Sequence, residues 1–226
     1  MAGVLWALGR YEEAGKLLDD MAALDPQALG GGPAALVPIR LNQSEMELSR
    51  LRHPAAAARA KEALDVLKAG GNARKVLLAW ADSDLGMAES YSGAHAAAKS
   101  LCEEAVSLAT QDSENWVTMH AHYALALVLL RAGDGAGARA SADRALAIAT
   151  SFGRADTRWR TLVLAGKASR LAGDPEAARD YFGRAASALE QFQQSLGAEA
   201  DGYFSRPDIQ WLRSELGVPV AGAAAR

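Results

Sequence analysis

The chain has 226 residues, 50% hydrophobic and 23% charged, which suits one large soluble domain or two small ones. Its net charge of −3 lacks the basic excess of a nucleic-acid binder, and one cysteine, Cys102, excludes an intrachain disulfide framework. The N-terminus has neither the basic nor the long apolar segment of a secretory signal, and the longest clean apolar run, Ala124 to Leu130, is too short for a bilayer. The expectation is a cytoplasmic protein with no nucleic-acid and no membrane partner.

The elements follow one another as helices; no stretch sustains the period-two alternation of a strand. A stub before Gly9 leads into a helix over about 11–24, stopped near Gly30-Gly31-Gly32. Helices over about 33–51 and 54–69 follow, the second opened by His53-Pro54 and stopped at Gly70-Gly71. Further pairs are predicted over about 72–91 and 94–110, 113–132 and 135–151, and 155–172 and 175–197. Asp174-Pro175-Glu176 places an N-cap, a first-turn proline and a first-turn acid in order. Ser205-Arg206-Pro207-Asp208 starts a short helix over 207–216, whose Ile209, Trp211, Leu212 and Leu216 are expected to cover the last hairpin. Residues 219–226 read as a disordered tail.

The pairs repeat. Gly9, Leu51, Gly93, Gly133 and Gly173 fall at turns, with spacings of 42, 42, 40 and 40. Ala14, Ala56, Ala98, Ala138 and Ala178 recur at the same spacings, as do Met21, Ala63, Ala105, Ala145 and Ala185, seven residues further on. Residues seven apart lie on one helix face, two turns apart, and alanine there lets a neighbouring helix approach closely. Larger apolar residues flank this seam: Leu17 and Leu18, Leu101 and Cys102, Tyr181 and Phe182. Stacked helix hairpins require such a helix.

These residues resemble tetratricopeptide (TPR) repeats over roughly 1–192. Ala165-Gly166, Gly173, Ala178, Phe182 and Ala185 carry the likeness in the fifth unit. Leu85-Gly86, Gly93, Ala98 and Ala105 carry it in the third, and Gly9, Tyr11, Ala14 and Asp25-Pro26 in the first. The units are longer than the commonest TPR, and that length resembles the variant in kinesin light chains and many bacterial signalling proteins. The resemblance implies an all-α, right-handed α-solenoid of antiparallel helix hairpins, the first truncated, with a C-terminal capping helix. A single domain over 1–218 has units at about 1–32, 33–71, 72–111, 112–153 and 154–198. The truncated first unit reads as part of a longer protein, and Val4, Leu5 and Leu8 need cover, for which self-association with a second copy is one source.

Chemistry of catalytic type is not expected. His120 and His122 are two apart, about 200° around a helix, and so face opposite sides. No metal site and no cofactor are expected from them. Cys102 sits on a core-facing flank and reads as an inert thiol. Asp112-Ser113-Glu114 reads as capping, Glu103-Glu104 as a solvated face, and the glycine run at 30–32 as a stop, since a phosphate loop needs a preceding strand. No nucleophile, base and orienter can be placed together, so the catalytic set is empty.

The resemblance also implies that the first helices of the pairs line a concave surface on which ligands lie. Asn42, Glu45 and Ser49 fall there from the second unit, and Trp80, Ser83, Asp84, Met87 and Tyr91 from the third. The fourth gives His120, Tyr123, Leu127 and Arg131, the fifth Arg160, Leu164, Lys167 and Arg170. Spacings within each set are mostly three or four, so each set shares a face. Aromatics and arginine are the types that dominate interface hot spots. A non-catalytic scaffold is expected, binding a protein or peptide segment with acidic groups near Arg160, Lys167 and Arg170. The lysine–asparagine pattern of chaperone-tail clamps is matched only by Asn42. Excess arginine over lysine and abundant alanine point to a bacterial source, and the setting expected is a signalling or regulatory protein. The alternative is a small-molecule-sensing module, which a deep closed pocket lined by Tyr123 and His120 would favour.

Overall fold

The computed structural model describes residues 1–25, 27, 32–70, 74–112 and 115–217. They form helices joined by short turns, with no strand among the described residues. Five hairpins follow in order: α1 (Ala2–Ala7) with α2 (Tyr11–Ala22), α3 (Val37–Ser49) with α4 (His53–Ala69), and α5 (Lys75–Ser90) with α6 (His95–Asp112). Then come α7 (Asn115–Arg131) with α8 (Gly135–Ser151), and α9 (Ala155–Leu171) with α10 (Pro175–Leu196). A 3₁₀ turn, Gly32–Leu36, precedes α3; another, Gly197–Glu199, leads to two short helices, α11 (Ala200–Phe204) and α12 (Pro207–Ser214). The architecture is an all-α solenoid. Pro26, Gly30-Gly31, Gly71, Ser113-Glu114 and the tail 219–226 lie outside the described residues.

The five turn positions share one backbone conformation. Gly9, Gly93, Gly133 and Gly173 have φ between +77° and +88°, and Leu51 holds φ +58° in the same place. The left-handed region ends one helix and redirects the chain into the next, and glycine reaches it without a Cβ penalty. Leucine takes it at Leu51 only because the surrounding hairpin fixes the turn. Asp134 and Asp174 then cap α8 and α10 by accepting from the Gly137 and Ala177 amides at 2.8 and 3.0 Å.

The alanine columns are the seam. Ala14, Ala56, Ala98, Ala138 and Ala178 are buried, as are Ala63, Ala105, Ala145 and Ala185, while Met21, the off-type member, is exposed. The approach they permit is close: a Cβ added at Gly86 would stand 2.5 Å from Cys102 Sγ and 3.0 Å from the Ala98 carbonyl oxygen. Successive first helices pack on one another, α1 on α3, α3 on α5, α5 on α7 and α7 on α9, while α4, α6 and α8 each bridge to the next hairpin. This arrangement curves the stack with the first helices on the inside.

The C-terminal segment departs from the expected cap. Instead of covering only the outer end of the last hairpin, it turns at Gly197 (φ +56°) and folds back across the concave side. Ile209 and Leu212 are buried in one cluster with Met87, Met119, Tyr123, Trp159 and Leu162, from α5, α7 and α9. Burial of each such side chain contributes about 1.5–3 kcal/mol. The segment reaches the first hairpin as well. Arg206 Nη1 donates to the Ala7 carbonyl at 2.9 Å, and a Cβ at Gly9 would lie 2.1 Å from the Gly202 carbonyl oxygen. Part of the cover that the first hairpin needs therefore comes from the chain's own C-terminal end; Leu5 and Leu8 are half-buried, and Val4 stays exposed.

Because a leucine in the left-handed region costs roughly 1–2 kcal/mol, Leu51→Gly is expected to raise stability by about 1 kcal/mol, net of unfolded-state entropy. Urea unfolding would read this as a higher midpoint; a lower midpoint would mean that the Leu51 side chain packs more than it strains.

Candidate ligand cavity and cationic cleft

The fold-back of α12 partly covers a cavity of about 140 Å³ between the inner helices and the C-terminal segment. Its apolar wall comes from Leu48, Met87, Met119, Leu127 and Leu212, and its aromatic wall from Trp6, Tyr91, Tyr123 and Trp211. Polar groups enter from Glu45, His53, His120, Arg160, Arg206 and Asp208. The space exceeds what one water needs several-fold.

One polar cluster spans three hairpins. Asp84 Oδ1 and His120 Nε2 are 2.9 Å apart, and Glu45 Oε1 lies 3.9 Å from His120 Nδ1 and accepts from Trp80 Nε1 at 3.1 Å. Each comes from the inner face of its helix, α3, α5 or α7. Burial, with the charge of Asp84 beside it, pushes the Glu45 carboxyl up to about 7. Asp84, with no exposed side-chain surface, is raised by burial against the opposing pull of His120. Burial alone would lower His120, but the Asp84 hydrogen bond and both neighbouring charges outweigh it and hold the imidazole above its ordinary value.

A second cluster closes the other side. Arg206, 2% exposed, grips Asp208 through Nε and Nη2 at 3.1 and 2.7 Å. Arg160 Nη2 reaches the same carboxylate at 3.3 Å and the Tyr123 hydroxyl at 3.4 Å. Such a buried pair is costly to break, because removing one partner strands a desolvated charge.

Beyond Trp211 lies a more open cleft of about 560 Å³, lined by Tyr91, Leu130, Arg131, Lys167, Arg170, Leu171 and Trp211. Lys167 Nζ and Arg170 Nη2 donate to the two oxygens of Glu215 at 2.5 and 3.1 Å. Burial alone would raise Glu215, but these cations hold its carboxyl below the usual range. Lys167 also sits 4.3 Å from the Trp211 ring centre. Tyr91 is held between the His53 ring, stacked at 3.5 Å, and the Arg131 guanidinium at 3.7 Å.

The residues expected on the concave face separate into groups. Met87, Tyr91, His120, Tyr123, Leu127 and Arg160 line the cavity; Tyr91, Arg131, Lys167 and Arg170 line the cleft. Trp80 stands behind Glu45 with its ring edge-on to Trp116. Asp84, Ser83 and Leu164 are buried, so no surface ligand meets them directly. Asn42 is turned to its own helix, donating to the Pro38 carbonyl at 2.8 Å. Sequence reasoning missed Trp6, His53, Arg206, Asp208, Trp211 and Glu215 as part of this face. The signal available was the amphipathic, acid-bearing helix after Pro207, which was read as an end cap. His120 and His122 do diverge: His120 faces the cavity and His122 does not line it.

No family model matches the sequence, and no curated protein matches it. Solved structures do share the fold. BtubC (BKLC) from P. vanneervenii superposes with a TM-score of 0.64 at 19% identity, covering 84% of this chain and 78% of that one. A Podosopora anserina protein assigned as a kinesin light chain, with nearly identical TPR-like repeats, gives a TM-score of 0.55 at 17% identity; a point variant of it gives 0.58 at 16%. Both cover 85% of this chain and 93% of theirs. The class is thus a TPR-like helical solenoid. Among the particular proteins that share it are kinesin-light-chain-type repeats, as the unit length implied. No helix among the described residues is long and apolar enough to cross a membrane.

Two outcomes follow. Cys102 is fully buried and its thiol is raised by burial, then by Asp82 and Asp84; the native protein should resist a maleimide and react once per chain after unfolding. His53 is held below the ordinary histidine value of 6.5 by burial and then by Arg131. A lowered folded value favours the neutral ring, so its contribution is complete above 6.5 and is lost as pH falls through 6.5 towards the folded value. Between about pH 7.5 and about pH 5.5 the wild type should lose more stability than His53→Gln in denaturant unfolding. Equal losses would contradict this placement of His53.

Proposed function

We propose that this chain is a non-catalytic interaction module that binds an acidic, helical protein segment at the cleft beside α12. The observation that carries the reading is Glu215: the residue at the C-terminal end of an amphipathic helix already presents a carboxylate to Lys167 and Arg170. The cleft therefore recognises an acid at a helix end in cis, and its three cations, Arg131, Lys167 and Arg170, outnumber that one carboxylate. Tyr91, Leu171 and Trp211 supply the apolar surface beside them. Arg170 and Leu171 are well exposed, so a partner can reach them. Arg160 is excluded from this role because Asp208 holds it inside. The setting that fits is the interaction region of a larger bacterial signalling or regulatory protein in the cytoplasm. The likeness to TPR-like repeats supports the scaffold role in general.

The test is a fluorescent peptide copying residues 205–217, added to the full chain. Lys167→Ala with Arg170→Ala should weaken its binding about tenfold or more, and salt should weaken it too. Glu215→Ala should strengthen it by removing the internal competitor. Unchanged affinity in the double variant would remove the cleft from consideration.

A second reading is favoured by the cavity. It is recessed but partly open, lined by Tyr123 and His120, and its mixed apolar and polar wall is of the kind that ligand pockets share.

A further inference from the structure

We propose that Glu45, Asp84 and His120 form a binding site for one divalent transition-metal ion of the Zn²⁺ type at the wall of the cavity. The proposal does not rest on the peptide-binding cleft. One ligand atom from each residue lies within 4.8 Å of the others. Metal–ligand bonds of about 2.0–2.2 Å need these atoms to draw in around the ion, a movement within reach of side-chain rotation. Carboxylate and imidazole together suit zinc and its neighbours in the first row.

The second observation is an unsatisfied group. Asp84 has no exposed side-chain surface, and its Oδ2 is buried without a hydrogen-bond partner. The neighbouring Ser44 hydroxyl is close enough to draw the Asp84 carboxyl down, but its own hydrogen bond, at 3.2 Å, goes to the Ala56 carbonyl. A buried acceptor left unpaired costs on the order of 1–3 kcal/mol, and a cation supplies the missing partner. Charge balance points the same way. Two carboxylates face one imidazole, and neither carboxylate forms an ion pair with a lysine or arginine among the described residues. Arg160, which feels Glu45 across the cavity, is engaged by Asp208.

The surroundings match a metal centre. Trp80 Nε1 fixes Glu45 by donating to Oε1, an outer contact of the kind that orients metal-binding carboxylates. Three protein ligands leave a coordination position open, and Glu45 and His120 both line the cavity, so water or a small anion can complete the set there. The competing account is a proton shared among the three groups with no metal.

Tag-free full chain, stripped with chelator, would be titrated with Zn²⁺ by calorimetry and with Co²⁺ by visible absorption. One equivalent should bind at micromolar or tighter affinity, Co²⁺ should show the intense bands of a low-coordinate site, and Zn²⁺ should raise the melting temperature. His120→Ala and Glu45→Gln should each weaken Zn²⁺ binding about a hundredfold or more, with the helical circular dichroism retained. Glu45→Gln leaves the buried Asp84–His120 pair in place, so it keeps the test valid if His120→Ala does not fold. Absence of Zn²⁺ uptake by the wild type, or equal uptake by Glu45→Gln, would overturn the proposal in favour of the shared proton.

Discussion

Arg206 sits where the C-terminal segment meets the first hairpin, and the fold-back of that segment depends on its contacts. Its guanidinium is almost wholly removed from water and spends its donors on Asp208 and the Ala7 carbonyl, with the Trp6 and Tyr203 rings 5.2 Å away. A desolvated arginine is tolerable only when its donors are met this fully. Asp208 in turn neutralises Arg160 on α9. One carboxylate thus ties the C-terminal helix to the inner face, and one arginine ties it to the first hairpin. Held by them, the segment lies across the inner helices and walls one side of the cavity.

The inner face is electrostatically divided. Its first half, from α3 and α5, presents Glu45 and Asp84 around His120; its second half, from α7 and α9, presents Arg131, Arg160, Lys167 and Arg170. The C-terminal segment brings acids, Asp208 and Glu215, and lays both on the cationic half. Among the described residues no lysine or arginine forms an ion pair with Glu45 or Asp84. This asymmetry explains why Glu45 and Asp84 share the pull of a single imidazole while Arg160, Lys167 and Arg170 each meet a carboxylate.

The repeat was legible because it is local. Left-handed turns select glycine, close helix seams select alanine, and both selections recur at 40–42 residues along the chain. Of the off-type members, Leu51 takes the turn conformation that its column requires, whereas Met21 departs from its column, exposed where the others are buried alanine. The inner-face residues were also legible as faces of single helices. What they do to one another was not. Glu45, Asp84 and His120 are 39 and 36 residues apart, and a search for metal ligands at helical spacing passes over such a set. A repeat converts that separation into adjacency, since the first helices of successive units stand side by side and each step falls about one helical turn short of the repeat, which keeps all three residues on the inner face.

The sequence by itself determined the helices, their pairing, the unit length and the small-residue seam, because each is set by turn geometry and by which face of a helix is apolar. Tertiary structure alone decided that α12 folds inward rather than capping the end, that Arg160 is consumed internally, and that three polar residues from three hairpins converge beside a cavity. The amphipathic pattern of α12 says that one face must be buried, but it is silent about against what. That choice falls to the shape of the curved inner surface and to the pairing of Asp208 and Glu215 with cations 45–48 residues earlier.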